Sequence, residues 1–169
     1  MGFDVVDVLA RKHGATFRKE RFWNALRGRC ALGGYDATLL KPLSYVNLTG
    51  PVVRKVLEDL GIPEPELMVV VDDFALPLGR IRIRPSGGGG GHNGLTSIVR
   101  AVGDGFPRIR IGIGAPEPGE AVDHVLSRFS RDEREVVDKA IGFAAEAVAL
   151  WASDGLEAAM NRYNSPEGR

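Results

Sequence analysis

The apolar positions change period several times along the chain, and each change marks an element. Phe3, Val6, Leu9 and Ala10 recur at helical spacing and predict a helix over residues 2–13 that Gly14 stops. Residues 22–32 and 35–40 read as two strands around Gly33-Gly34, a two-residue hairpin signal. Val52, Val53, Val56, Leu57 and Leu60 form a helical stripe ahead of Gly61, with Thr49 as the expected cap and Pro51 in the first turn. Tyr45 and Asn47, within SYVNLTG at 44–50, therefore lie on the loop entering that helix. Residues 67–71 are unbroken apolar positions, which read as a buried central strand, and they end in Asp72-Asp73.

The next stretch combines two patterns across a run of glycine. Arg80, Arg82 and Arg84 alternate with Ile81 and Ile83, a period of two that gives a strand one apolar and one basic face. After SGGGGGHNGL at 86–95, Leu95, Ile98, Val99 and Val102 return to helical spacing. A strand, a glycine loop and a helix N-terminus together present backbone N–H groups to an anion. No Lys-Ser/Thr follows the glycines, which excludes a nucleotide-hydrolase phosphate loop. Three arginines in the preceding strand fit a dinucleotide fingerprint badly. A binding loop carrying His92 and Asn93 is the expectation, ahead of a mobile surface loop.

A further strand over 108–114 sets Arg110 between Ile109 and Ile111. Ser130 and Glu133 form a capping box for a long helix with Val137, Ala140, Ile141, Ala144, Val148 and Trp151 on one face, and Asp154 and Glu157 start a last short helix. Strands and helices interleave, so the fold class is α/β. The expectation is a single three-layer domain over residues 1–164, a mixed β-sheet flanked by helices, with the hairpin supplying antiparallel members and 165–169 a polar tail.

With 169 residues, 44% of them hydrophobic and 26% charged, the chain has the composition of one globular domain. No apolar run approaches the ~20 residues of a membrane span. Cys30 is the single cysteine, in a patterned strand, and reads as core; a reducing cytoplasm is the expected compartment. The zero net charge conceals basic segments at 11–29 and 80–110 around an acidic one at 58–73, a distribution suited to a polyphosphate partner.

Loops entering helices, strand ends and the glycine turn offer Tyr45, Asn47, Asp72, His92 and Asn93 as site candidates. Asp72 could serve a site at the carboxyl end of a buried strand or a solvated turn. His13, His92 and His124 lie on unrelated elements, so no metal site is expected. GxSxG is absent, which leaves direct attack of water on an activated carbonyl.

The blocks KPLSYVNLTG, VVVDDFALPLGRIRIRPSGGGGGHNGL and RIRIGIGAP, with a weaker match through SDGLEAAMNRYN, carry a resemblance to the bacterial peptidyl-tRNA hydrolases across essentially the whole chain. The resemblance implies hydrolysis of the ester between a peptide and the 3′ end of tRNA, recycling tRNA in translation, by a cytoplasmic monomer without metal or cofactor. It implies that Asn47 and Asn93 hold the peptide and the 3′ nucleotide end and that Tyr45 lines the tRNA site. Asp72 orients a catalytic histidine, His92 supports Asn93, and Arg80, Arg82 and Arg84 meet tRNA phosphates. The family opens with an apolar strand, an Asn-Pro turn and an Arg-His-Asn triplet whose histidine is the general base. Met1-Gly2-Phe3 matches the residues just after that triplet, so the sequence as it stands holds neither this base nor the first asparagine. A hydrolase whose sequence starts late is the first expectation. A noncatalytic tRNA- or RNA-binding relative is the alternative, and a domain with a decayed site a third.

Overall fold

The computed structural model describes residues 1–115 and 129–165. In chain order the elements are α1 (Gly2–Lys12), β1 (Arg18–Glu20), β2 (Ala25–Leu32), β3 (Tyr35–Pro42), α2 (Thr49–Leu60), β4 (Val69–Asp73), β5 (Ile81–Arg84), α3 (Asn93–Val102), β6 (Arg108–Gly112), α4 (Arg131–Asp154) and α5 (Leu156–Asn164). The strands form two sheets. One is antiparallel in the order β1-β2-β3; the other is mixed, in the order β4-β6-β5, with β4 parallel and β5 antiparallel to the central β6.

The mixed sheet is the middle of three layers, and its two faces have different residues for a reason visible in the register. Ile81 pairs with Ile111 and Ile83 with Ile109, so four isoleucines share one face. All four are at most 5% exposed and pack with Val5 and Leu9 of α1 and Val137, Ile141 and Ala144 of α4. At ~25 cal/mol per Å² of apolar surface removed from water, burying these side chains stabilises the packing of α1 and α4 on the sheet. On the other side Val71, Leu95, Ile98 and Phe106 pack with Val53 and Leu57, which brings α2 and α3 over β4.

Four expectations need correction. The unbroken apolar run at 67–71 predicts a central strand, but β4 is an edge of the mixed sheet and the centre is β6; the apolar side chains of β4 are covered from the two faces by helices instead. The hairpin does not supply the antiparallel member of the mixed sheet. That member is β5, which returns through a tight turn where Gly79 N–H bonds Gly112 O, while the hairpin strands form their own sheet with the additional short β1. Thr49 does not cap α2: its hydroxyl donates to Val46 O at 2.9 Å, closing the 3-10 turn Val46–Leu48, and Leu48 holds the N-cap position. Asp154 ends α4 rather than starting the last helix, because Gly155, at φ +89°, breaks the chain direction between them.

The hairpin turn, the Gly61 stop and the Ser130–Glu133 capping box stand as expected. Cys30 is partly buried against the main cluster, and desolvation raises its thiol pKa, which suits packing better than nucleophilic chemistry. At the outer edge of the mixed sheet, Asn164 of α5 accepts from Ile83 N–H at 2.7 Å and donates to Ile83 O at 3.1 Å. No helix among the described residues is long and apolar enough to cross a membrane.

Candidate active site

The two carboxylates at the end of β4 divide the two roles that the sequence left open. Asp73 is 8% exposed; its Oδ1 accepts from Ala75 N–H at 2.9 Å and its Oδ2 from Arg110 Nη1 at 3.0 Å, so it makes the turn. Asp72 points the other way along the pleat, is half-buried, and has its Oδ1 3.9 Å from His92 Nε2.

His92 is the N-cap of α3. Its Nδ1 accepts from Leu95 N–H at 3.0 Å and satisfies an amide that has no partner within the helix. Only a neutral ring can accept there, and the proton then sits on Nε2, facing Asp72. Burial lowers the imidazole pKa against the opposing pull of Asp72, with Arg110 adding to the downward push. In this tautomer neither nitrogen has a free lone pair, so the geometry suits His92 as a cap and Nε2–H donor.

Asn93 is the first residue of α3, and the 3-10 turn that carries Asn47 packs against the same helix. A Cβ on Gly94 would lie 2.8 Å from Val46 Cγ2, so glycine there allows the turn to sit directly on the helix start. Gly50 N–H donates to Ser97 Oγ at 3.0 Å and ties the beginning of α2 to α3. Tyr45, 81% exposed, stands at the rim. The structure thus brings Asp72 and His92 together beside Asn93 at one helix N-terminus, while Asn47 lines a groove with Ser97 and Arg100 on the flank of α3 and Tyr45 precedes it on the exposed turn. His13 is exposed at the opposite end of α1, and His124 lies outside the described residues.

Beside this cluster runs a basic face. Arg82 pairs across strands with Arg110 and Arg84 with Arg108, so four guanidinium side chains share the side of the sheet opposite the isoleucines. Arg82 and Arg84 are exposed. Arg80 precedes β5 and donates from Nη2 to Asn164 O at 3.0 Å, which commits part of its fork to α5. Arg108 and Arg110 turn inward to the glycine loop: Arg110 Nη2 donates to Gly89 O at 3.2 Å and Gly88 O at 3.4 Å, and Arg108 Nη1 donates to Gly87 O. The sequence reading missed these two and Asp73. A usable signal was present in the second RIRI alternation, since arginine on a strand flanked by buried isoleucines needs named acceptors. Among the described residues no group of three or more His, Cys, Asp or Glu side chains could hold a metal ion.

A family model described as peptidyl-tRNA hydrolase matches residues 1–169. The peptidyl-tRNA hydrolase of Syntrophomonas wolfei is 44% identical over 165 residues, covering 97% of this chain and 89% of the relative. That of Caldanaerobacter subterraneus is 43% identical with the same coverage. Among solved structures, the peptidyl-tRNA hydrolase of Acinetobacter baumannii superposes with a TM-score of 0.91 at 35% identity, over 96% of this chain and 84% of the other.

Proposed function

The chain belongs to the peptidyl-tRNA hydrolase family, and from that premise we propose that the cluster at the start of α3 binds and hydrolyses the ester of peptidyl-tRNA. The observation that supports the site assignment is the joining of a polar cluster to a sheet face on which Arg82 and Arg84 stay exposed. One end of this substrate is a polyanion and the other is a neutral ester and peptide, and the two surfaces match those two chemistries. The binding-only alternative is not favoured, because the relatives over the whole chain are named as hydrolases.

In the reaction, water adds to the ester carbonyl and the bond from carbonyl carbon to the 3′ oxygen breaks, giving a peptide carboxylate and a free 3′ hydroxyl. Asn47 and Asn93 carry the amide donors and acceptors that grip the peptide and the terminal nucleotide, and Tyr45 borders the nucleotide. Arg82 and Arg84 meet phosphates, with Arg80 a lesser contributor because its fork is shared with Asn164. Asp72 orients the histidine that activates water, and His92, as the cap, fixes where Asn93 begins. The protein acts as a monomer in the cytoplasm.

The general base is the point to test. A Cβ on Gly2 would collide with Val70 O, so the start of α1 rests on β4 two residues before Asp72. A turn ahead of Met1 would therefore emerge beside Asp72. The protein of residues 1–169 is compared with a form extended by an apolar strand and an Arg-His-Asn turn, and each with its His92→Ala variant. The extended form is expected to cleave peptidyl-tRNA ~10²–10⁴-fold faster, the usual contribution of a positioned base. Equal rates that vanish with His92→Ala would move the base to the glycine turn.

A further inference from the structure

Arg108 is the one charged side chain besides Asp73 that is buried among the described residues, at 1% exposure. No carboxylate stands within ion-pair distance of it among those residues. Its acceptors are three main-chain carbonyls: Phe106 O from Nε at 3.0 Å, Asp104 O from Nη2 at 3.1 Å, and Gly87 O from Nη1. Its guanidinium carbon also lies 4.3 Å from the centre of the Phe106 ring. Burying a cation with no carboxylate in contact, only the more distant one of Asp104, is unfavourable, and an apolar side chain would fill this space without that cost. What an apolar side chain cannot do is hold three carbonyls in a fixed fork.

The three carbonyls are not equivalent. Gly87 opens the glycine loop, whereas Asp104 and Phe106 follow α3 on its way into β6. Gly87 N–H also donates to Asp104 O, at 3.1 Å, so Gly87 is tied by its N–H to the segment leaving the far end of α3 and by its C=O to Arg108 at the start of β6. The loop, His92, Asn93 and the whole of α3 therefore form one closed excursion from the sheet, and its two ends meet at a single guanidinium.

We propose that Arg108 is a positioning residue for substrate: it clamps both ends of the loop–helix excursion and thereby sets where His92 and Asn93 stand relative to Asp72. This rests on the hydrolase reading of the site. Arg108 touches none of the reacting groups; it acts through the backbone.

The test uses residues 1–169 with Arg108→Lys, which keeps the charge and loses the fork, and Arg108→Met, which fills the space and avoids a buried cation. Val137→Ala serves as a core variant of comparable thermal stability. The reporter is the Leu95 amide, whose hydrogen bond to His92 Nδ1 marks the position of the cap. Its protection from hydrogen exchange should fall at least tenfold relative to global stability in both arginine variants and hold in Val137→Ala. Affinity for peptidyl-tRNA should fall about tenfold in the same two variants only. Unchanged Leu95 protection, unchanged affinity, or an equal effect in Val137→Ala would overturn the proposal. A parent protein that does not bind peptidyl-tRNA at all overturns the hydrolase reading instead, and the exchange data then judge the clamp by themselves.

Discussion

Strands β5 and β6 carry the same alternation of isoleucine and arginine and put it to opposite uses. Their isoleucines meet on one face and disappear into the same core. Their arginines meet on the other face, where Arg82 and Arg84 remain exposed while Arg108 and Arg110 are drawn under the glycine turn. The difference does not reside in the strands. It follows from position, since β6 is central and its neighbours can cover it, whereas β5 is an edge. Inside, an arginine is a fork for backbone oxygens; outside, it is a point of positive potential.

The largest effect should come from the inner pair. Arg110 bridges Asp73 and two loop carbonyls, with side-chain exposures of 16% and 8% for Arg110 and Asp73. Arg110→Leu leaves Asp73 buried without its cation and should cost about 3 kcal/mol in chemical unfolding. A loss below about 1 kcal/mol would place Arg110 functionally with the outer arginines.

The loop itself gives a second contrast. A Cβ on Gly90, at φ +55°, would run into the guanidinium of Arg110, while a Cβ on Gly88 would meet nothing within 4 Å. Gly90→Ala should destabilise by about 1–2 kcal/mol from the left-handed backbone together with the displaced fork. Gly88→Ala should be neutral or stabilise by about 0.5 kcal/mol. Equal effects at the two positions would show that the arginine contacts do not shape the loop.

For the outer arginines the expected signature is electrostatic. Replacing Arg82 and Arg84 with Ala should leave stability within about 0.5 kcal/mol and reduce the salt slope of tRNA binding by roughly two, one for each phosphate left without its arginine. An unchanged slope in a salt titration would remove them from the interface.

The smallest effect is a pH dependence. His92 is held below its ordinary value of 6.5 in the folded protein, so the unfolded chain takes up a proton first as the pH falls. Its contribution is complete above about 6.5 and is lost as the pH drops through the folded value. Unfolding at pH 7.5 and 5.5 should show this loss, and His92→Asn, which caps without titrating in this range, should remove it. A pH dependence unaltered by that substitution would assign it to other groups.

How much of this was legible in the sequence depended on how local the cause was. The hairpin over Gly33-Gly34, the stripe of α2 and the capping box of α4 are set by neighbours within a few residues, and all could be read directly. Whether Asp72 serves a site or a turn could not be read from pattern, because the turn is taken by Asp73 through Arg110, 37 residues away. Thr49 looked like a cap because the residue type fits; an upstream 3-10 turn took its hydroxyl instead. The glycine run was legible as a place of close approach. That two of the approaching groups would be arginines of a later strand was not, since nothing local distinguishes an arginine bound for the interior from one bound for solvent.

Asn164 has one more consequence. By meeting both the N–H and the C=O of Ile83, its carboxamide imitates the peptide unit of a neighbouring strand and then goes no further. A side chain that pairs once offers no second edge to copy, so the sheet is closed at β5 by an element that cannot propagate. The mixed sheet thus ends in a dead stop on the very strand that carries its exposed arginines, Arg82 and Arg84, and the pairing groups of Ile83 between them are not left for a further strand.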